Sequence, residues 1–235
     1  MAQGTLWLIP TALGGEPEEV IPRSVIERAR TLRYFVAEDP KTTRSFLKRI
    51  GHPEPIASLR IERLNHHTKE SDLAPLIAPL LAGTDAGLLS EAGCPVIADP
   101  GAGLVRLAHQ SGIRVAPLAG PSSIVLALMA SGLQAQRFTF HGYLPVKDME
   151  RARAIKALED RSRLAEETEI FIEAPYRNRA LLRALVSVCH PRTWLCVATD
   201  LTLPGESLVT RRIRAWPAEP PDIDRRPSVF LLLAE

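Results

Sequence analysis

Polar and small residues follow apolar runs at several points of this 235-residue chain, and their types could do chemistry. The stretch Ser90–Gly101 follows Leu88 and Leu89 and is rich in small, turn-forming residues, which let a ligand approach the backbone closely. In Gly120–Ser123 the two serines precede an apolar helical pattern, where free N–H groups could bind a carboxylate. A plain turn with a helix N-cap is the simpler interpretation of that second loop taken alone.

Three carboxylates and one lysine are candidates for a more active role. Glu38 and Asp39 follow the apolar run Tyr34–Ala37, while Glu91, within Ser90–Gly101, could hydrogen-bond a ligand or be a solvated loop charge. A carboxylate at such a position can take a proton from a poor nucleophile such as a hydroxyl group, and the charge of Lys147 could steer that nucleophile. We take Asp39, Glu38 and Lys147 as catalytic candidates, although loop polarity or capping of a helix by Asp39 explains each one singly.

The cysteines and histidines argue against a metal site. The three cysteines, Cys94, Cys189 and Cys196, are irregularly spaced and form no Cys-x-x-Cys pattern. His66 and His67 are adjacent, which is not the spacing of metal ligands. We therefore expect no metal, free thiols and a reducing compartment. With no signal-peptide pattern and no apolar run long enough for a membrane span, the expected location is the cytoplasm.

Alternating strand and helix patterns position these loops in the first half of the chain. The apolar runs that predict strands are 5–9, 34–37, 56–64, 87–89 and 113–118. Helical patterns separate them, which predicts a mostly parallel sheet with helices on both faces. Ligands of such sheets bind at the carboxyl ends of the strands, where the loops described above lie.

The pattern changes from Arg137 onward. A charged helix is expected over 148–167, with Ile155, Leu158 and Leu164 as its apolar stripe. Strands are expected at 169–173, 193–199, 206–213 and 228–234, the last three antiparallel. The sequence therefore predicts two α/β domains, 1–140 and 141–235, the second with a mixed sheet.

Two basic helices could hold an RNA backbone. Their cations are Lys41, Arg44, Lys48 and Arg49 in one helix and Arg151, Arg153, Lys156, Arg161 and Arg163 in the other. Interleaved acidic residues in the second helix make ion pairs within that helix the alternative. The formal net charge of +2 neither demands nor excludes a nucleic-acid partner, and with 5% aromatic residues platforms for base stacking are scarce.

Several segments occur in the order of a known family. They are Ile9–Gly15, 37–39 with Thr42 or Thr43, Leu89–Gly101, Pro117–Ser123, Gly142–Lys147 and, more weakly, Phe171–Arg177. Together they resemble the tetrapyrrole methylase superfamily of S-adenosylmethionine-dependent methyltransferases, and within it the branch that methylates a ribose 2′-hydroxyl of ribosomal RNA.

The resemblance implies a cofactor, a substrate and an assembly. It implies S-adenosylmethionine as cofactor, a carboxyl-terminal domain that closes the cofactor cleft, ribosomal RNA or the small ribosomal subunit as partner, and a homodimer. The cofactor-binding residues that it implies are Pro10, Leu13, Gly14, Ser90, Glu91, Ala92, Gly93, Ile97, Gly120, Pro121, Ser122, Ser123, Glu173 and Ala174.

The sequence also departs from the pattern of that branch. Ala12 and Gly15 differ from its first loop, Glu91 replaces an aspartate, and Cys94 replaces a threonine, while the carboxyl-terminal half diverges further. Two alternatives therefore stay open at this point. One is a methyltransferase of a tetrapyrrole or another small molecule, although the first loop lacks the glycine-rich pattern of those enzymes. The other is a non-catalytic regulator that binds S-adenosylmethionine.

Overall fold

A computed structural model describes residues 2–217 and 222–235, which form two compact units. The first unit ends at Ser122 and the second begins at Ser123, whereas the sequence patterns placed the boundary between residues 140 and 141. The difference comes from one helix, Ser123–Ser131, whose residues contact strands of the second sheet and therefore belong to the second unit.

The first unit is a five-stranded parallel sheet with helices between its strands, as the alternating pattern predicted. Its strands are β1 (Thr5–Leu8), β2 (Tyr34–Ala37), β3 (Arg60–Arg63), β4 (Ala86–Leu89) and β5 (Arg114–Pro117). Its helices are α1 (Pro17–Val20), α2 (Arg23–Thr31), α3 (Pro40–Arg49), α4 (Ala74–Leu81) and α5 (Ala102–Gln110). The strand order is β3-β2-β4-β1-β5, and every pair is parallel.

Helices cover both faces of this sheet. Successive side chains of a strand point to opposite faces, so each strand contributes to two cores. Tyr34 and Val36 of β2 pack into a core with residues of α4 and α5. Phe35, between them, packs into a second core with residues of α2 and α3. β3 is shorter than the predicted 56–64, since Ile56–Ser58 forms a 3₁₀ turn directly after Pro55.

The second unit contains a mixed five-stranded sheet, also as predicted. Its strands are β6 (Phe138–Tyr143), β7 (Thr168–Ile172), β8 (Trp194–Thr199), β9 (Ser207–Arg212) and β10 (Ser228–Leu233), and its helices are α6 (Ser123–Ser131), α7 (Asp148–Ala165) and α8 (Asn178–Val188). The order is β6-β7-β10-β8-β9. β6 and β7 pair in parallel, while β7 with β10, β10 with β8 and β8 with β9 pair antiparallel.

The predicted apolar stripe of α7 was wrong at one position. The side chain of Leu164 is 89% exposed, whereas Ser162 is fully buried with Ile155. Ser162 follows Leu158 by four positions and so stays on the buried face of the helix, while Leu164 lies two positions further round. The Ser162 hydroxyl donates to the Glu167 carbonyl and accepts from the Ala234 amide, so a polar residue closes the stripe.

None of the helices that the structure describes is long and apolar enough to cross a lipid bilayer.

Candidate active site

Three loops meet at the carboxyl edge of the first sheet, because β4, β1 and β5 are neighbours in its strand order. The loop after β1 and the loop after β4 are joined by two backbone hydrogen bonds. The Thr11 N–H donates to the Gly93 carbonyl at 2.9 Å, and the Gly93 N–H donates to the Thr11 carbonyl at 3.1 Å. This bridge, distant in sequence, fixes the two loops against each other.

The loop after β5 packs against the loops after β1 and β4. A Cβ added to Gly120 would lie 2.3 Å from Cβ of Pro10, so only glycine allows this approach. The Cys94 Sγ lies 3.4 Å from the carbonyl oxygen of Pro121. A Cβ on Gly93 would lie 3.1 Å from a methyl carbon of Leu13. The structure thus brings together residues of three loops that are separated in the sequence by 27 to 110 positions.

The backbone of the central loop adopts an unusual conformation. Val96 and Ala98 have φ values of 76° and 67°, in the left-handed region that favours glycine. A β-branched residue in that region is strained and persists only where its surroundings hold it. Ile97, between them, leaves 48% of its surface exposed, although it is a large apolar residue. Strain and exposed apolar surface coincide in the loop for which the sequence predicted ligand contacts.

Carboxylates gather beside this loop. Burial raises the pKa of Glu38, and the negative charges of Asp99 and Glu91 raise it further. The Glu91 N–H donates a hydrogen bond to the Glu38 carboxylate, which opposes part of that increase. Burial also raises the pKa of Asp99, against a hydrogen bond from Ser90 that lowers it. Glu38 therefore holds its proton to a higher pH than an exposed glutamate, as is common for groups in active sites.

Asp99 was not among the predicted site residues. Its only signal in the sequence is its position before Pro100 and Gly101 at the end of the small-residue loop. The sequence does not show that Asp99 lies near Glu38, because the two residues follow different strands.

Asp39 has the geometry of a helix cap. Its carboxylate accepts hydrogen bonds from the Lys41 and Thr42 amides at 3.1 and 3.3 Å, and it precedes α3 in an extended conformation. Lys147, in the second unit, forms an exposed ion pair with Glu150 at 3.2 Å. Glu38 is half-buried beside Asp99 and Glu91, whereas Asp39 caps α3 and Lys147 forms an exposed ion pair.

The remaining predicted residues lie at the start of the second unit and after β7. Ser122 ends the first unit and Ser123 begins α6. Glu173 is buried directly after β7, and its Oε1 accepts hydrogen bonds from the Ala174 amide at 2.7 Å and Arg177 Nε at 2.9 Å. Its Oε2 is buried without a hydrogen-bond partner among the described residues. That oxygen is an acceptor available for a ligand donor.

The basic helices differ in how their charges are used. In α7, Arg151 pairs with Asp148, Lys156 with Glu159 and Asp160, Arg161 with Glu167 and Glu169, and Arg163 with Asp160. Of the predicted α7 cations, Arg153 is exposed and forms no ion pair with a described residue. In α3, Arg49 pairs with Glu16, but Lys41, Arg44 and Lys48 are exposed and form no ion pair with a described residue. Positions 41, 44 and 48 share one helix face, so their charges form a free basic stripe.

Within residues 2–217 and 222–235, no group of three His, Cys, Asp or Glu side chains is placed to hold a metal ion.

Comparison with known proteins identifies the family. Residues 18–216 match the model of the family described as Tetrapyrrole (Corrin/Porphyrin) Methylases. The chain belongs to this family. It is an S-adenosylmethionine-dependent methyltransferase, which confirms the activity and the two-domain α/β fold expected from the ordered loops.

Two relatives are similar to this chain in sequence over most of its length. The chain is 33% identical to the ribosomal RNA small subunit methyltransferase I of Escherichia coli O157:H7, over 100% of this chain and 78% of that protein. It is 36% identical to the protein of the same name from Xylella fastidiosa strain Temecula1, over 85% of this chain and 69% of that protein. Among solved structures, the methyltransferase CobJ superposes with a TM-score of 0.65 at 14% identity, covering 98% of this chain and 94% of that one; this likeness shows the fold alone.

Proposed function

We propose that this methyltransferase transfers a methyl group to a ribose 2′-hydroxyl of the RNA of the small ribosomal subunit. The observation that carries the proposal is the 33% identity over the whole chain with a relative named ribosomal RNA small subunit methyltransferase I. The fold itself is shared with a methyltransferase at only 14% identity and does not choose between acceptors.

The converging loops of the first unit suit the cofactor of this family. Gly93 and Gly120 let the three loops pack closely, because a Cβ at either position would crowd a neighbouring loop. We propose that the cofactor contacts these loops through Pro10, Leu13, Gly14, Ser90, Glu91, Ala92, Gly93, Ile97, Gly120, Pro121, Ser122 and Ser123, and the second unit through Glu173 and Ala174. When bound, S-adenosylmethionine supplies an electrophilic methyl group.

We propose Glu38 as the general base that takes the proton of the acceptor hydroxyl. A ribose hydroxyl is a poor nucleophile, and a positioned carboxylate assists it by taking the proton as the new bond forms. The raised pKa of Glu38, caused by burial and by Asp99 and Glu91, brings this carboxyl closer to the working pH. Asp39 holds the start of α3 beside it, and Lys147 keeps a secondary role in steering.

The free stripe of Lys41, Arg44 and Lys48 is proposed to hold the RNA backbone. Lysine and arginine side chains neutralise phosphates and release their counterions, which gives affinity without sequence preference. The paired arginines of α7 have internal carboxylate partners and are left out of this contact. The proposal includes a homodimer and, since its substrate is a ribosomal subunit, the cytoplasm as compartment.

The test uses tritiated S-adenosylmethionine and small ribosomal subunits from a strain that lacks the enzyme. We expect label in the RNA fraction, and resistance of one phosphodiester bond to alkaline hydrolysis, since a 2′-O-methyl group removes the attacking hydroxyl. Subunits from the parent strain are the control, because their site is already methylated and should accept no label.

The same assay separates the alternatives. Label in an added porphyrinoid and none in RNA would replace the proposed acceptor with a tetrapyrrole. Binding of S-adenosylmethionine in a calorimeter without transfer to any component of a cell extract would indicate a non-catalytic regulator. Light scattering after size exclusion tests the proposed dimer.

A further inference from the structure

A cavity of about 260 Å³ lies in the first unit, between the loop after β3 and the start of α5. Its apolar lining comes from Leu64, Leu73 and Leu104, which are buried. Asn65, His66, Thr68 and Asp99 supply its polar lining. This volume is close to the lower end of the range of small-molecule pockets, roughly 300–1,000 Å³. It suits one nucleoside better than a tetrapyrrole macrocycle.

The polar groups of the cavity are poorly used by the protein itself. The Asn65 Oδ1 accepts from the His67 amide, but the Asn65 Nδ2 has no hydrogen-bond partner among the described residues. The His66 ring touches the His67 ring and forms no hydrogen bond with any residue that the structure describes. Among the described residues, Asp99 forms a side-chain hydrogen bond with Ser90 alone. Donor and acceptor groups are therefore left for a ligand.

The charges around the cavity select a neutral ligand that both donates and accepts hydrogen bonds. Asp99, with Glu38 and Glu91 beside it, disfavours a free anion. The start of α5 has no side-chain cap, so its unpaired N–H groups at Ala102 and Gly103 disfavour a cation. A nucleoside has ribose hydroxyls that donate, base atoms that accept and a flat ring that packs on leucine and histidine side chains.

We propose that this cavity binds one unpaired nucleoside of the acceptor RNA, with Asp99 accepting a hydrogen bond from a ribose hydroxyl and His66 contacting the base. The inference rests on the proposed function, because it assumes RNA as acceptor. Ser90 connects Asp99 to the cofactor loop, so the nucleoside subsite and that loop share a wall.

Direct binding is measured by nuclear magnetic resonance on the whole protein saturated with S-adenosylhomocysteine. Millimolar cytidine or adenosine should shift the imidazole signals of His66 in a saturable way, and those of His109, in the last turn of α5 and outside the cavity lining, much less. Absence of a shift would overturn the proposal, and so would a shift seen only in protein without S-adenosylhomocysteine, since that result would assign the cavity to the cofactor.

Kinetics with small ribosomal subunits give a second readout. His66→Ala and Asp99→Asn should each raise KM for the subunit about tenfold, the loss expected for one hydrogen bond or stacking contact. The affinity for S-adenosylmethionine, measured by calorimetry, should stay within twofold in both variants. His67→Ala is the matched control and should behave as the wild type, and His66→Gln, which keeps a polar side chain, should lie between.

The outcomes separate this inference from the proposed function. If the wild type transfers no methyl group to small subunits, the proposed function fails, while the nucleoside titration still tests the cavity. If the wild type is active and both variants keep the wild-type KM, the inference fails alone. A lower affinity for S-adenosylmethionine with an unchanged KM for the subunit also overturns it.

Discussion

Gly93 occupies a position where both backbone conformation and space exclude a side chain. Its φ is 75°, and a Cβ would lie 3.1 Å from Leu13 and 3.4 Å from the Pro121 carbonyl oxygen. We expect Gly93→Ala to lower the free energy of unfolding by about 1–2 kcal/mol. The displaced loops should also weaken S-adenosylmethionine binding at least tenfold, measured by calorimetry.

A matched substitution separates the two effects. Gly51 has a φ of 65°, but a Cβ there would meet nothing within 4 Å. Gly51→Ala should therefore cost a similar stability and leave cofactor affinity unchanged. Equal cofactor affinities for the two variants would show that Gly93 is not part of the cofactor site.

Glu38 gives a second prediction at the scale of single residues. If its carboxylate takes the acceptor's proton, Glu38→Gln should lower kcat by about 10²–10⁴-fold and remove the acidic limb of the pH–rate profile. That limb should lie above the pKa of an ordinary glutamate, because burial and the charges of Asp99, Glu91 and Asp39 raise the pKa of Glu38. A kcat within threefold of the wild type across the profile would exclude this role.

The same raised pKa has a consequence for stability. Because the pKa of Glu38 is higher in the folded chain than in the unfolded one, the folded chain binds more protons between the two values. The free energy of unfolding contributed by this group is therefore lost as the pH rises through that window. Glu38→Gln should flatten this part of a pH series of urea unfolding curves, and an unchanged slope would show that folding does not raise the pKa of Glu38.

At the scale of elements, α3 joins a cap at one end to a basic stripe along one face. Asp39→Ala should destabilise the protein by about 1 kcal/mol, because two amides lose their acceptor. Asp39→Asn keeps an acceptor and should retain both stability and activity. If Asp39→Asn instead folds normally but loses methyl transfer, Asp39 is catalytic and the capping interpretation is insufficient.

The stripe on α3 carries a prediction about salt. Replacing Lys41, Arg44 and Lys48 together by glutamine removes three free cations without opening the buried face of the helix. The slope of log K against log[salt] for binding to small subunits should become shallower by about 2. Replacing Arg163 of α7 is the comparison, and it should leave the slope unchanged because this exposed side chain already pairs with Asp160.

Elements set by local patterns were predictable, and elements set by distant contacts were not. The strands and the loops after them followed from apolar runs ended by glycine and proline, which act within a few residues. Leu164 was misassigned because the end of α7 is held by Ser162 and its contacts with Glu167 and Ala234, which no periodicity shows.

The cavity and the partners of Asp99 depend on the strand order β3-β2-β4-β1-β5, which the sequence does not state. The order places the ends of β2 and β4 side by side and so brings Glu38 to Asp99. Family resemblance located the loops, but their mutual contacts, such as the Thr11–Gly93 bridge, required the structure.

Over the whole molecule, the three free cysteines report on folding and on the cofactor loops together. Cys189 and Cys196 are buried, and burial raises their thiol pKa values to about 12 and about 11. Cys94 is half-buried, with its pKa also raised by burial. Since the thiolate is the reactive form, all three should react slowly with a disulfide reagent at neutral pH, Cys94 fastest.

Thiol labelling can therefore test the cofactor site without measuring catalysis. We expect the folded protein to react at one thiol and the unfolded protein at three, the number of cysteines in the chain. S-adenosylmethionine should slow the labelling of Cys94. The Sγ of Cys94 lies 3.4 Å from the Pro121 carbonyl oxygen, in a loop that we assign to the cofactor. Cys94→Ser is the control that should abolish the native reaction. Unchanged labelling of Cys94 at saturating cofactor would place S-adenosylmethionine away from the three loops, since a ligand seated on them covers the one thiol that the fold leaves partly open.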